Sequence, residues 1–287
     1  GKLMFKKIKY IFAILLICLF FTNCKYGFNN CFYYGSNVNE RTKNGILHLD
    51  DNPVKTKNEY NILIIADTHF GSRWADVPYK KLYNYLDSIK NTEDWPSFVI
   101  CLGDSTNSGE ESEFILYTEF LQHLQNEYGL KTYNTIGNHD CYQFGWENWK
   151  EYCYPYTPFY KFQTQNFSYY FLDTATGTIG KNQLEHLKKD MQNDKNPKIV
   201  SSHYPIYTST MLFCLGDSFE RNELISLFQQ NNVKFDIGGN IHDRPESINL
   251  GTFSQEVISS FTYENTFALL KVNEANQSTQ FTLKTLN

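Results

Sequence analysis

The sequence holds no C-x-x-C pair, which removes zinc-ribbon and thioredoxin-type readings. It has no apolar run long enough to span a bilayer. The best candidate, Tyr10 to Phe21, is 12 residues, against the ~20 that a transmembrane helix needs. Internal repeats and low-complexity tracts are missing, so solenoid and linker-rich architectures fall away. Positive charge is not in excess: 26 Lys and Arg face 31 Asp and Glu. Four of those positives (Lys2, Lys6, Lys7, Lys9) lie in the first 24 residues, which contain no acidic residue, leaving 22 basic and 31 acidic residues and a net −9 in the rest. An acidic body lacks the clustered Lys and Arg that phosphate backbones require, so no specific nucleic-acid binding is expected.

What is present is an ordinary globular composition, 41% hydrophobic and 20% charged over 287 residues. That excludes disordered, collagen-like and coiled-coil classes. A chain of this length buries roughly three quarters of its unfolded surface, so neither metal nor disulfide is needed merely to build a core. Tyr (21) and Phe (23) are abundant, which suits a thick packed interior and an aromatic-lined cleft.

The N-terminus reads as an export address. Lys6, Lys7 and Lys9 precede the apolar run, the n-region and h-region order of a signal peptide. Phe21-Thr22-Asn23-Cys24 follows and resembles a bacterial lipoprotein lipobox with a relaxed consensus, Phe and Asn replacing the usual Leu and small residue. The expectation is a signal peptide and lipobox over 1–24 and export to a bacterial cell envelope. The product is either lipid-anchored through Cys24 at a membrane surface or plainly secreted, periplasmic or extracellular. Five cysteines remain after Cys18 and Cys24. Cys141 and Cys153 bracket an aromatic loop and either pair or stay as buried thiols.

Residues 25–59 are rich in Asn, Lys, Gly and Asp and read as a tether or a surface-hugging arm. From 60 to 287 apolar runs alternate with helical patterns. Strands are expected at 60–66, 97–102, 132–136, 167–172, 197–201, 233–237, 253–259, 266–272 and 280–283. One helix is expected from a Ser108/Glu111 capping box through Phe114, Tyr117, Leu121, Leu124 and Tyr128, ending at Gly129. A second carries Leu184, Leu187 and Met191, and a third starts at Asp217 and Glu220. The alternation argues an α/β layered domain with a mixed sheet.

Five strands each deliver a polar residue at the carboxyl end: Asp67-Thr68-His69, Gly103-Asp104, Gly137-Asn138-His139-Asp140, Ser202-His203 and Gly238-Gly239-Asn240-Ile241-His242. That edge of an open α/β sheet is where ligands bind. Oxygen and imidazole donors gathered there are the ingredients of a divalent metal site. Any one motif alone is weak, since Gly-Asp is a common turn and a lone His is more often structural. Their ordered succession is what carries the reading.

The ordered string resembles the calcineurin-like metallophosphoesterase family over roughly residues 60–275, with Tyr170-Phe171-Leu172-Asp173-Thr174 and Gln183-Leu184-x-x-Leu187 as further matches. The resemblance implies two mixed β-sheets packed as a sandwich and flanked by helices, a four-layer αββα fold. It implies two divalent metal ions, Mn, Fe, Zn or Mg, at a hydrolytic site. Asp67, His69 and His242 would hold the first, Asp104 would bridge, and Asn138 and His203 would hold the second. His139 would be the proton donor, oriented by Asp140. The family's usual Gly-His-x-His is here Gly239-Asn240-Ile241-His242, so Asn240 replaces an imidazole at the second metal. An oxygen-richer site favours Mn²⁺ or Mg²⁺, with Mn preferred.

The expected function is hydrolysis of phosphate mono- or diesters on a small phosphorylated substrate by a metal-bound hydroxide. The alternative is a surface lipoprotein that keeps the fold as a binding protein with weakened or no turnover, for which Asn240 is the support. Arg73 is either a phosphate clamp or a solvated loop residue. The loop 141–160 is expected to shape the pocket.

Overall fold

The computed structural model describes residues 37–55 and 57–286. The expected signal peptide and lipobox at 1–24 lie outside the described residues. Among the described residues, strands form two sheets.

The smaller sheet takes β2 (Glu59–Ile65), β3 (Pro96–Leu102), β4 (Lys131–Thr135), β11 (Thr266–Asn273) and β12 (Ser278–Thr285). Its order is β12-β11-β2-β3-β4, with β2, β3 and β4 parallel and the β11–β12 hairpin antiparallel. The larger sheet takes β1 (Leu47–His48), β5 (Tyr160–Gln163), β6 (Ser168–Phe171), β7 (Lys198–Ser201), β8 (Val233–Gly238), β9 (Glu246–Asn249) and β10 (Ser254–Val257). Its order is β1-β5-β6-β7-β8-β10-β9, parallel from β6 through β7 and β8 to β10.

Strand periodicity sorts the apolar side chains into layers. On β2, Ile62 and Ile64 face the other sheet while Leu63 and Ile65 face helices; on β3, Phe98, Ile100 and Leu102 face inward and Val99 and Cys101 outward. The inter-sheet layer is completed by Tyr133, Tyr160, Phe162, Tyr169 and Phe171. The outer face of the smaller sheet is covered by α2 (Asp76–Ile89) and α3 (Glu111–Tyr128), that of the larger by α5 (Lys181–Asn193) and α6 (Ser218–Gln230). Two shorter helices, α4 (Gly145–Tyr152) and α7 (Phe261–Glu264), and the single turn α1 (Val38–Arg41) complete the order. This is the αββα sandwich that the motifs implied.

Details differ from the sequence reading. The capping box of α3 is formed by Glu110 and Glu113 rather than Ser108 and Glu111. Ser108 gives its N–H (2.7 Å) and hydroxyl (3.0 Å) to Glu113 instead. Gly129 does stop the helix, at φ +68°. Asp217 caps α6, accepting from Phe219 N at 2.7 Å. Its expected companion Glu220 reaches across to Thr178 Oγ1, Ile179 N and Gly180 N ahead of α5, where a helix N-terminus favours an anion. Strands β5 and β9 and helices α2 and α4 were not read from the sequence.

Residues 37–49 lie against the larger sheet, and Asp51 accepts from the Tyr133 hydroxyl (2.6 Å) on β4 of the smaller one. Arg41 makes a buried ion pair with Asp173 (Nε–Oδ2 2.6 Å, Nη2–Oδ1 2.9 Å), and β1 runs parallel to β5. Cys141 and Cys153 are unpaired and buried, as are Cys101 and Cys214.

Candidate metal centre

The polar loops leave the carboxyl ends of β2, β3, β4, β7 and β8, the edge expected from sequence. Their backbone is unusual. Asp67 (φ +56°), His69 (+44°), Asp104 (+47°) and Asn240 (+69°) all occupy the left-handed region, at a cost of order 1 kcal/mol or more each. Bonds to the main chain hold the loops together: Asp67 N to Gly103 O (3.1 Å), His69 N to Asp104 O (2.9 Å), and the Ser260 hydroxyl to Asp67 O (3.0 Å). Two glycines make the approach possible. A Cβ on Gly137 would sit 2.1 Å from Asp104 N, and one on Gly239 would sit 2.7 Å from Asp67 Oδ2.

Asp67, His69, Asp104 and His242 each offer one ligand atom, all within 4.8 Å of one another. The Nε2 atoms of His69 and His242 are 3.2 Å apart, and His242 Nε2 lies 3.4 Å from Asp67 Oδ1. Asp104 faces two ways. Its Oδ1 is 3.3 Å from His203 Nε2, while its Oδ2 is 3.9 Å from the Nε2 of both His69 and His139. On the Oδ1 side, His203 Nε2 also meets Asn138 Oδ1 at 3.0 Å. Among the described residues, Asp67 Oδ1, Asp104 Oδ2 and His69 Nδ1 are buried without a hydrogen-bond partner. Buried carboxylate oxygens are costly unless something pairs with them. Two such oxygens converging with imidazole nitrogens are a donor set that fits divalent cations.

Residues 60–244 match the family model described as calcineurin-like phosphoesterase. The chain belongs to the calcineurin-like phosphoesterase family. No curated protein matches the chain in sequence. Solved structures share the fold. A dimetal phosphatase from Danio rerio is 12% identical with TM-score 0.57, covering 79% of this chain and 99% of its own. A purple acid phosphatase from yellow lupin (Lupinus luteus) is 11% identical with TM-score 0.56, covering 80% and 54%. GAP50, the anchor in the inner membrane complex of Plasmodium, is 14% identical with TM-score 0.57, covering 80% and 89%.

Within this phosphoesterase fold, one role that the resemblance implied needs correction. Asp140 does not orient His139. Its carboxylate is buried on Thr106 N (2.9 Å), Thr106 Oγ1 (3.0 Å) and Gly137 N (2.9 Å), where it ties two loops together. His139 Nδ1 instead meets the carbonyl of Asn107 at 2.6 Å, and His139 N bonds Asp104 Oδ1 at 2.8 Å. Asn240 gives its backbone N–H to Asp67 Oδ2 (3.1 Å) and its carboxamide N–H to the Phe213 carbonyl (2.9 Å). Arg73 is exposed, with its guanidinium 4.5 Å over Trp74. Of the 141–160 loop, Tyr142 reaches the centre, its ring 4.7 Å from that of His139. Trp149, Phe159 and Tyr160 are core.

Three contributors escaped the sequence reading. Asn107 acts through its carbonyl, which no side-chain pattern reveals. Thr174 Oγ1 accepts from the N–H groups of His203 (3.1 Å) and Tyr204 (2.8 Å); its segment was recognised, its task was not. Tyr263 places its ring 5.5 Å from His69 and 5.2 Å from His242 at the rim.

Electrostatics follow from burial. It pushes His69 down to about 4, although Asp104 and Asp67 oppose it. Burial also opposes charge on His203, yet the adjacent Asp104 raises it to about 9. Burial alone would raise Asp104, but the imidazoles of His203 and His139 hold it well below the usual carboxylate range. Burial, then the Asp104 charge, lift Asp140 to about 6.

Proposed function

We propose that this phosphoesterase is an exported, metal-dependent hydrolase of phosphate mono- or diesters working with two divalent cations, Mn²⁺ favoured. The observation that carries the reading is the convergence of two orphaned carboxylate oxygens, Asp67 Oδ1 and Asp104 Oδ2, on the His69 and His242 imidazoles. Asp67, His69 and His242 would hold one cation. Asn138, His203 and the Asn240 carboxamide oxygen would hold the other, with Asp104 shared. Bound there, a cation pair supplies Lewis-acid charge to phosphate oxygens and ionises water near neutral pH.

The chain's own groups do the positioning. His203 donates from Nδ1 to the Leu102 carbonyl at 2.7 Å, which leaves Nε2 as the ligand atom. His139 is fixed the same way by the Asn107 carbonyl, so its Nε2 points toward the centre. With the Nδ1 hydrogen spent on that carbonyl, the ring donates from Nε2 only as the imidazolium, whose second proton would pass to the leaving alkoxide. Asp140 keeps the loop of His139 against that of Thr106.

Metal content after Mn²⁺ loading, measured together with turnover of an aryl phosphate, tests the proposal. Asp104→Ala should empty or separate the pair and drop turnover below about a tenth, with the far-UV circular dichroism retained. A folded mutant above that level rejects the shared-ligand role. A second reading, a fold-retaining binding protein, is favoured by one observation: the Asn240 carboxamide nitrogen is engaged by Phe213. A metal-replete protein without turnover on any phosphate ester would select it. Export and acylation are part of the proposal. Mass spectrometry of the native protein should find residues 1–23 removed and Cys24 acylated.

A further inference from the structure

The loops around the metal centre and the first turn of α6 carry exposed apolar side chains. Trp74 follows β2, Phe144 follows β4, and Met211 (49% exposed), Leu212 (61%), Phe213 (63%) and Phe219 (66%) follow β7. These six exposed apolar side chains follow strands whose carboxyl ends carry the metal centre. The 211–213 tip is held outward by design. Met211 N bonds Thr208 O (3.0 Å), Thr208 Oγ1 bonds Leu212 O (2.7 Å), and both Met211 and Phe213 sit at φ +58°. Bulky residues rarely adopt that conformation, so the tip is not a relaxed loop.

The chain enters the fold at the same edge. Helices α5 and α6 are crossovers between parallel strands, so their N-termini lie at the carboxyl edge of the sheet. The first described turn sits on the start of α5: Asn39 Oδ1 accepts from Asn182 N (3.2 Å), and Val38 Cγ1 lies against Gly180. Arg41 pairs with Asp173, two residues past β6. The same 178–180 segment is held by Glu220, the neighbour of Phe219. Ahead of that turn the sequence carries the apolar run Tyr10–Phe21 and Cys24.

We infer that the apolar rim docks on a lipid bilayer, so that the opening of the metal centre faces phosphate-bearing headgroups. The inference rests on the membrane-anchor part of the proposed function. From Cys24 to Asn37 the chain can span at most ~45 Å, about the diameter of a globule of this size. The described chain starts at the edge that holds the metal centre, so an anchored N-terminus reaches that edge with less chain than the opposite one. A bilayer also suits side chains that are apolar and separated on several loops.

The test uses the full chain with phosphatidylcholine vesicles, plain or brominated on the acyl chains. Flotation reads anchoring, and bromine quenching of tryptophan reads docking. Trp74 is the exposed reporter, while Trp95 and Trp146 are half-buried and Trp149 is buried. Flotation with bromine-dependent quenching that Trp74→Phe removes is the expected result. Leu212→Ser with Phe219→Ser should lower the docked-to-undocked ratio by about tenfold per side chain. Their turnover of a soluble aryl phosphate should stay unchanged. A chain that floats but shows equal quenching with and without Trp74 overturns docking while sparing the anchor. A chain that does not float overturns both. Self-association that buries Trp74 without lipid would assign the rim to a second copy and also overturns the inference.

Discussion

His139 Nδ1 lies 2.6 Å from the carbonyl oxygen of Asn107, a residue 32 positions earlier in the chain. A carbonyl only accepts, so Nδ1 carries the hydrogen and Nε2 is presented to the centre. Its backbone N–H is spent on Asp104 Oδ1. Ring and backbone are thus both fixed before any substrate arrives.

This fixes the expected behaviour of His139→Ala. Metal content should stay near wild type. Turnover should fall by about 10²–10⁴ for esters with a poor alkoxide leaving group and much less for activated aryl esters. Parallel assays on the two ester classes check it. Equal losses on both would remove the proton-donor role.

Asn240 holds the Phe213 carbonyl and is the proposed ligand of the second cation, and substitutions can separate the two. Asn240→Asp keeps an oxygen for the second cation and loses the N–H donated to Phe213. Mn²⁺ binding should survive while the 208–216 loop becomes more sensitive to protease. Asn240→His should tighten the weaker of two Mn²⁺ sites and raise its preference for Zn²⁺. Calorimetric titration reads the two sites. Equal affinities in the wild type would show that the carboxamide already serves as a full ligand.

Arg41 and Asp173 are paired with both side chains fully buried. Arg41→Leu leaves a buried carboxylate uncompensated and should cost about 3–5 kcal/mol in urea unfolding. Adding Asp173→Asn should recover much of that loss, because the charge that needed a partner is gone. A double mutant no more stable than the single would show that packing of the N-terminal turn, and not charge, is what matters.

Asp236 on β8 is buried, its Oδ2 has no hydrogen-bond partner among the described residues, and burial lifts its pKa to about 7. The folded state therefore holds this proton more tightly than the unfolded chain. Its contribution is complete below about pH 4 and is lost as pH rises through 7. Asp236→Asn should then stabilise the protein at pH 8 by up to ~4 kcal/mol and make little difference near pH 4. Thermal unfolding across that range measures the gap; a gap independent of pH would contradict the assignment.

The sequence by itself determined the layered α/β class, the strand order along the chain and the polar residue at each strand end. These are local signals: period-2 alternation on β2 and β3, helical spacing on α3, and glycines where loops turn toward a carboxylate. It did not show β5, which is lost in a continuous aromatic stretch, or β9, a four-residue edge strand with no buried face. Tertiary structure alone decided partners. Asp140 is next to His139 in sequence, yet it turns onto Thr106 and Gly137, because adjacent residues in a tight turn project in different directions. The acceptor that aims His139 is a backbone carbonyl brought from the β3 loop, and Arg41 finds Asp173 across 132 positions. Asp104 is placed between two donor groups only because β2, β3, β4 and β7 end at one edge, from which the loops converge. Spacing along a chain encodes which residue types reach that edge; the packing of two twisted sheets decides which atoms face one another there.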